Sequence, residues 1–169
     1  PPDPVFSMMD MPRQRDYRRV FVPRYTKRAV AAMEDGIRAR TRELLEPLVA
    51  QGHFDVYRDL ADPLATLTIA ELIGLPEEEG PDLRAQVEAF FAREPGQSGT
   101  TEANDEARLS RLTRVGEIVF ERQSAGEAGC SGDDHISALL RAEIEGERLS
   151  LPSIVAAIYT MLVTGAEVV

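Results

Sequence analysis

The 169-residue sequence has no tryptophan, a single cysteine and only two histidines. One cysteine, Cys130, excludes an internal disulfide and fits a reducing compartment. It lies in a Gly-rich loop and is expected to be an exposed, inert thiol. His53 and His135 stand far apart, with no spacing such as His-x-x-x-His, so both are expected at the surface and no metal site is read. Positive charge is also short: 19 Lys and Arg oppose 29 Asp and Glu, for a net charge of −10. That balance argues against a nucleic-acid binder, which depends on clustered Lys and Arg to neutralise phosphates. No apolar run reaches the roughly 20 residues that span a bilayer. The longest, Ile154–Val169, carries Glu167 and reads as a buried helix. The chain opens Pro1-Pro2-Asp3-Pro4, without an initiator Met or a signal-like apolar stretch, so a cytoplasmic protein and an excerpt of a longer chain are expected. No sustained period-two alternation marks a strand. No Ser-His-Asp assembly and no phosphate-binding Gly loop is present.

Helical periodicity is what the chain does have. Hydrophobic residues make up 43% and charged residues 28%, which suits one soluble domain with a real core. Residues 1–12 read as a loop, and a short basic helix follows from Pro12 to about Tyr25. Val30, Met33, Ile37, Thr41, Leu44 and Leu48 then form one stripe at spacings of three and four, closed by Gln51-Gly52. A second strong helix is expected over about Tyr57–Ile73, stopped by Gly74-Leu75-Pro76. A third covers about Glu79–Arg93. The polar stretch Glu94–Asn104 reads as a mobile loop. A fourth helix, about Asp105–Ser124, puts Leu109, Leu112, Val115 and Val119 on one face. Asp133-Asp134 opens a helix to about Glu145, where acids in a first turn suit the helix dipole. The expectation is an all-α fold of six or seven helices.

The last helix, starting near Leu149, carries the sharpest chemistry. Gly165 weakens a helix by about 1 kcal/mol relative to Ala, and a buried unpaired Glu167 would cost several times that. Something is therefore expected to approach the backbone at Gly165 and to use Glu167. Thr160, Val163, Thr164, Glu167 and Val168 share one face of this helix.

Two segments resemble bacterial cytochrome P450 enzymes, the haem-thiolate monooxygenases. Asp10-Met11-Pro12-Arg13-Gln14-Arg15-Asp16-Tyr17-Arg18-Arg19, followed by Tyr25-Thr26-Lys27-Arg28-Ala29-Val30, is similar to the family's helix C region. Thr164-Gly165-Ala166-Glu167 looks like its I-helix signature. Between them, Gly52-His53-Phe54-Asp55, Leu60-Ala61-Asp62-Pro63-Leu64, Ile69 to Pro76, and Asp133 to Leu140 follow family phrases in order. The resemblance covers nearly all of this chain and less than half of a family member. It implies an all-α helical fragment of the P450 fold, helices C to I, without the later half that holds the cysteine loop. The single partial domain 1–169 would comprise a loop before helix C (1–12), helices C to F (12–93), a lid loop (94–104), helices G and H (105–148) and the start of the I helix (149–169).

The resemblance implies a binding set for haem b. Gln14 and Arg18 are one turn apart, and the matching family pair reaches a haem propionate. A guanidinium suits a carboxylate. Gln14 departs from the usual His and keeps only a neutral donor. Gly165 and Thr164 would border the haem, with Gly165 letting dioxygen or haem approach the backbone and the helix bulge. Glu167 would relay protons, which needs a titratable group. Val168 stands where the family has a hydroxyl that steers those protons. Thr160 and Val163 would line the substrate side. The iron ligand would be a cysteine beyond this chain, not Cys130. Arg13, Arg15, Arg18, Arg19, Arg24, Lys27 and Arg28 make a basic face, either solvated or a docking surface for ferredoxin or a similar acidic electron donor.

The function implied is a monooxygenase within secondary metabolism that oxidises a small hydrophobic organic substrate with O2 and electrons from a redox partner, with no membrane and no nucleic acid as partner; the 169 residues alone would be inactive. Some proteins resembling this family are haem-free helpers that bind and activate a glycosyltransferase, and Gln14 and Val168 are changes such a helper would tolerate. An unrelated helical binding module is a third possibility.

Overall fold

The computed structural model describes residues 8–92 and 99–167, apart from the side chains at 81, 86, 87, 90, 91, 166 and 167. Nine α-helices lie within these residues: α1 (Arg13–Phe21), α2 (Lys27–Ala32), α3 (Glu34–Gln51), α4 (Asp62–Ile73), α5 (Gly80–Phe91), α6 (Glu102–Ser124), α7 (Glu127–Cys130), α8 (His135–Arg141) and α9 (Leu151–Glu167). Pro23 lacks the N–H an α-helix needs, so the basic helix expected to reach Tyr25 ends at Phe21 and tightens into a 3₁₀ turn, Val22–Tyr25. Thr26 then caps α2 by accepting from the Ala29 N–H at 3.3 Å. The helix expected from Tyr57 begins instead as a wide π-helical turn, Val56–Ala61, and becomes α-helical where Pro63 suits a first turn. Gly74, with φ of 92°, closes α4 in the left-handed conformation.

The core lies where α4, α6, α8 and α9 meet. Ile73, Val115, Val119, Ile136, Leu139, Ile158 and Leu162 are each fully buried there. Each such side chain contributes about 1.5–3 kcal/mol of burial. A smaller cluster of Met9, Tyr17 and Ile144 seats α1 against the segment after α8.

That segment adds a very small sheet to an otherwise helical fold, and it replaces the last turn of the helix expected to reach about Glu145. α8 stops at Arg141, and a two-stranded antiparallel hairpin follows: β1 (Glu143–Ile144) pairs with β2 (Glu147–Arg148), Ile144 opposite Glu147. Glu145 and Gly146 take φ of 56° and 82°, the two left-handed positions of a tight hairpin turn. Two-residue strands are too short to show alternation in sequence.

Three further expectations shift. The α6 stripe rotates: Leu109 is 65% exposed, and the buried face is Arg111, Val115, Ile118 and Val119. Arg111 is drawn inward by buried Glu79, 3.2 Å from its guanidinium. No residue of α3 is buried; Met33, Ile37, Thr41, Leu44 and Leu48 are half-buried, and Val30 is exposed. The expected loop 94–104 is shorter at its far end. Thr101 and Asn104 form a capping box that starts α6 at Glu102, and the Asn104 amide bonds the Ala89 and Ala92 carbonyls. Residues 94–98 of that lid expectation lie outside the described residues.

Candidate functional site

α1 and its 3₁₀ extension show Gln14, Arg18, Phe21, Val22 and Tyr25 at successive turns of one face. Together with Thr26, this face meets Ile69 of α4 and Met161, Thr164 and Gly165 of α9 around a cavity of about 730 Å³. Four residues singled out from sequence, Gln14, Arg18, Thr164 and Gly165, thus reach one cavity from opposite ends of the chain. Packing of α4 against α9, and of α1 against α8, brings them there.

The wall is mainly apolar, through Phe21, Val22, Ile69 and Met161, with polar groups on the α1 side. No carboxylate among the described residues lies within ion-pair distance of Arg18. Asp16, one turn before Arg19, is taken by Arg19 at 3.0 Å. A guanidinium left unpaired beside an apolar cavity is a ready anchor for a ligand carboxylate.

Gly165 has a different neighbour from the one expected. A side chain there would stand 2.6 Å from the Ile69 Cδ1 and Cγ1 atoms. The glycine is required by the approach of α4, and α9 continues through it without a bulge. Thr164 donates to the Thr160 carbonyl at 2.8 Å, and Thr160 donates to Ala156 at 2.9 Å. Both hydroxyls are therefore already satisfied within the helix. Thr160 and Val163 are half-buried and do not line this cavity. The backbone of Glu167 ends α9, but its side chain and all of Val168 lie outside the described residues.

The largest departure from expectation is His135. It is buried completely, not at the surface. Its Nε2 lies 3.2 Å from the Tyr25 hydroxyl, its ring stacks on Tyr25 at 5.6 Å, and Phe21 meets it edge-on at 5.2 Å. Burial, reinforced by the positive charge of Arg24, lowers its pKa from 6.5 to about 4, against opposing pulls from Asp134 and Asp133. His135 is therefore a neutral imidazole behind two residues of the cavity wall. A histidine at the head of a mainly apolar run, His135-Ile136-Ser137-Ala138-Leu139-Leu140, was the available signal. His53 is exposed as expected.

The basic face also changes. Arg24 is buried and pairs with Asp133 at 3.1 Å, so it leaves the surface set. Arg15, Arg18, Arg19, Lys27 and Arg28 remain exposed. Cys130 is half-buried and does not line the cavity. Among the described residues there is no cluster of metal-binding side chains, and no helix is long and apolar enough to cross a membrane.

No protein-family model matches the chain. Individual proteins do. It is 31% identical over 162 residues to cyclomarin C epoxidase CymV of Salinispora arenicola, covering 94% of this chain and 40% of that protein. It is equally 31% identical over 162 residues to the cytochrome P450 monooxygenase PikC of Streptomyces venezuelae, covering 36% of it. Among solved structures, the LnmA cytochrome P450 hydroxylase from the leinamycin pathway of Streptomyces atroolivaceus superposes with a TM-score of 0.80 at 25% identity, over 96% of this chain and 40% of that one. The chain spans about 40% of the length of the relatives it matches.

Proposed function

We propose that this chain, which has the sequence and fold of a cytochrome P450 segment, forms one wall of the haem pocket of a monooxygenase acting on a small hydrophobic organic substrate. The observation that carries this reading is the meeting of Arg18 and Gln14 with Thr164 and Gly165 around a single apolar-walled cavity. The donor set fits the group: a broad apolar face suits a macrocycle, and an unpaired guanidinium suits its propionate. Haem, when bound, would supply the activation of dioxygen.

In this reading the chain's own residues bind, orient and exclude water. Arg18 holds a propionate by charge-assisted hydrogen bonds, and Gln14 adds one neutral donor. Phe21, Val22, Ile69 and Met161 keep the cavity dry. Thr160 and Val163, on a face of α9 that does not line this cavity, would meet the substrate, and Glu167 would relay protons inward. Val168, lacking a hydroxyl, cannot hold a proton in transit. Arg15, Arg19, Lys27 and Arg28 offer a docking face to an acidic electron donor such as a ferredoxin. The iron's thiolate comes from a cysteine outside this chain.

Arg18→Ala in the full-length protein is expected to weaken haem binding about 10- to 100-fold, from the roughly 1.5–3 kcal/mol of a hydrogen bond to a charged group. Gln14→Ala is expected to weaken it only a few-fold. Titration of the apoprotein with haem, followed at the Soret band, measures both. Unchanged affinity in the Arg18 variant would remove it from the site. Failure of the wild-type protein to take up haem would favour the haem-free helper instead.

A further inference from the structure

His135 sits on α8 behind the cavity and does not itself line it. On the same helix Ile136, Leu139 and Leu140 are buried and apolar, and buried Ser137 is satisfied by Asp134 at 2.9 Å. Packing alone would be served by another aliphatic side chain, because a buried polar group must find a partner or carry a penalty. Among the described residues His135 has one hydrogen-bond partner, the Tyr25 hydroxyl, 3.2 Å from Nε2, and its Nδ1 has none. An orphaned buried N–H is rarer and costlier than a bare lone pair. The proton therefore belongs on Nε2, which donates to the phenol oxygen, and the Tyr25 hydroxyl keeps its own proton.

Both aromatic residues that touch His135 line the cavity. Phe21 abuts its ring edge-on, with planes 79° apart, and Tyr25 stacks on it at 25°. Tyr25 is otherwise 54% exposed and sits at the end of a four-residue 3₁₀ turn. Without a tether such a ring would be free to swing into solvent, opening the wall beside Arg18.

We propose that His135 is a positioning residue for the cavity: acting through the Tyr25 hydroxyl, it holds the Tyr25 ring in the wall and so slows release of the flat group bound there. This rests on the haem reading above.

The experiment measures haem loss from the full-length holoprotein into excess apomyoglobin. His135→Leu and Tyr25→Phe are each expected to speed release about tenfold, the upper end of one neutral hydrogen bond. The double variant is expected to be no faster than either single one, because both remove the same contact. His135→Gln, which keeps a donor, is expected to stay within about threefold of wild type by the same reasoning. Wild-type release rates in His135→Leu, or multiplicative effects in the double variant, would overturn the proposal. Should His135→Leu fail to fold, Tyr25→Phe at its half-exposed site decides: a wild-type rate overturns it. Faster release from Arg18→Ala with none from Tyr25→Phe or His135→Leu defeats this inference and leaves the haem reading standing. No haem uptake by the wild type defeats both.

Discussion

Arg122→Ala is expected to lower the free energy of unfolding by about 3 kcal/mol, within the range for removing one partner of a largely buried ion pair. Arg122 on α6 binds four residues on three other parts of the fold. Its guanidinium meets both oxygens of Asp134 at 3.0 and 2.9 Å, the Gly74 carbonyl at 3.2 Å, the Gly129 carbonyl at 2.9 Å, and the Ser137 hydroxyl. Asp134 in turn caps α8 by accepting from the Ser137 N–H at 2.8 Å. One side chain thus ties the end of α4, the turn of α7 and the start of α8 to α6. Burial pushes the Asp134 carboxyl up, but hydrogen bonds from Arg122 and Ser137 bring it below the ordinary carboxylate range. Without Arg122, a mostly buried carboxylate keeps its bonds from Ser137 but loses its counter-ion, and two carbonyls lose a donor. Arg122→Lys is expected to recover less than half of the loss, since an ammonium cannot reproduce the planar fork. Urea unfolding followed by far-ultraviolet circular dichroism measures both, and a loss below about 1 kcal/mol, ordinary for an exposed ion pair, would contradict this role.

Acidification is expected to expose the second large effect. The His135 pKa is about 4 in the folded chain against an ordinary 6.5. Between those values the unfolded chain binds a proton that the folded chain refuses. Stability therefore falls as pH drops through this window, and the whole difference is worth roughly 3 kcal/mol at about 1.4 kcal/mol per pH unit. The facing charges are Arg24, which disfavours protonation, and Asp133 and Asp134, which favour it but are already paired with Arg24 and Arg122. His135→Leu removes the titrating group. Wild type is expected to lose about 2.5 kcal/mol more than His135→Leu between pH 7.5 and 4.5. Equal losses in both proteins would show that His135 is protonated without penalty and is not the buried neutral group described.

The helices were legible where one face is apolar and the stop is chemical. α4, with its Gly74-Leu75-Pro76 end, and α9 follow from spacing and from glycine's access to left-handed backbone. α2 and α3 were legible as helix but not as a surface segment, since the stripe of six positions they share reads like a core face whether or not a neighbour covers it. The hairpin at 143–148 was hidden because two-residue strands carry no period. Gln14 and Arg18 were recognisable through their one-turn spacing and the family phrase around them. Their meeting with Thr164 and Gly165 rests on distant packing that local periodicity does not report.

Local order along the chain was enough to decide the helical class and to single out the candidate residues on α1 and α9. These depend on side-chain chemistry within a few residues, where period, charge and turn propensity act. Tertiary structure alone decided what those residues meet. It put Ile69 against Gly165, drew Arg24 and Arg111 out of solvent, and buried His135 behind Tyr25. Burial and pairing are set by segments up to 110 positions apart, and desolvation, which turns a surface histidine into a neutral tether, exists only once those segments close around it.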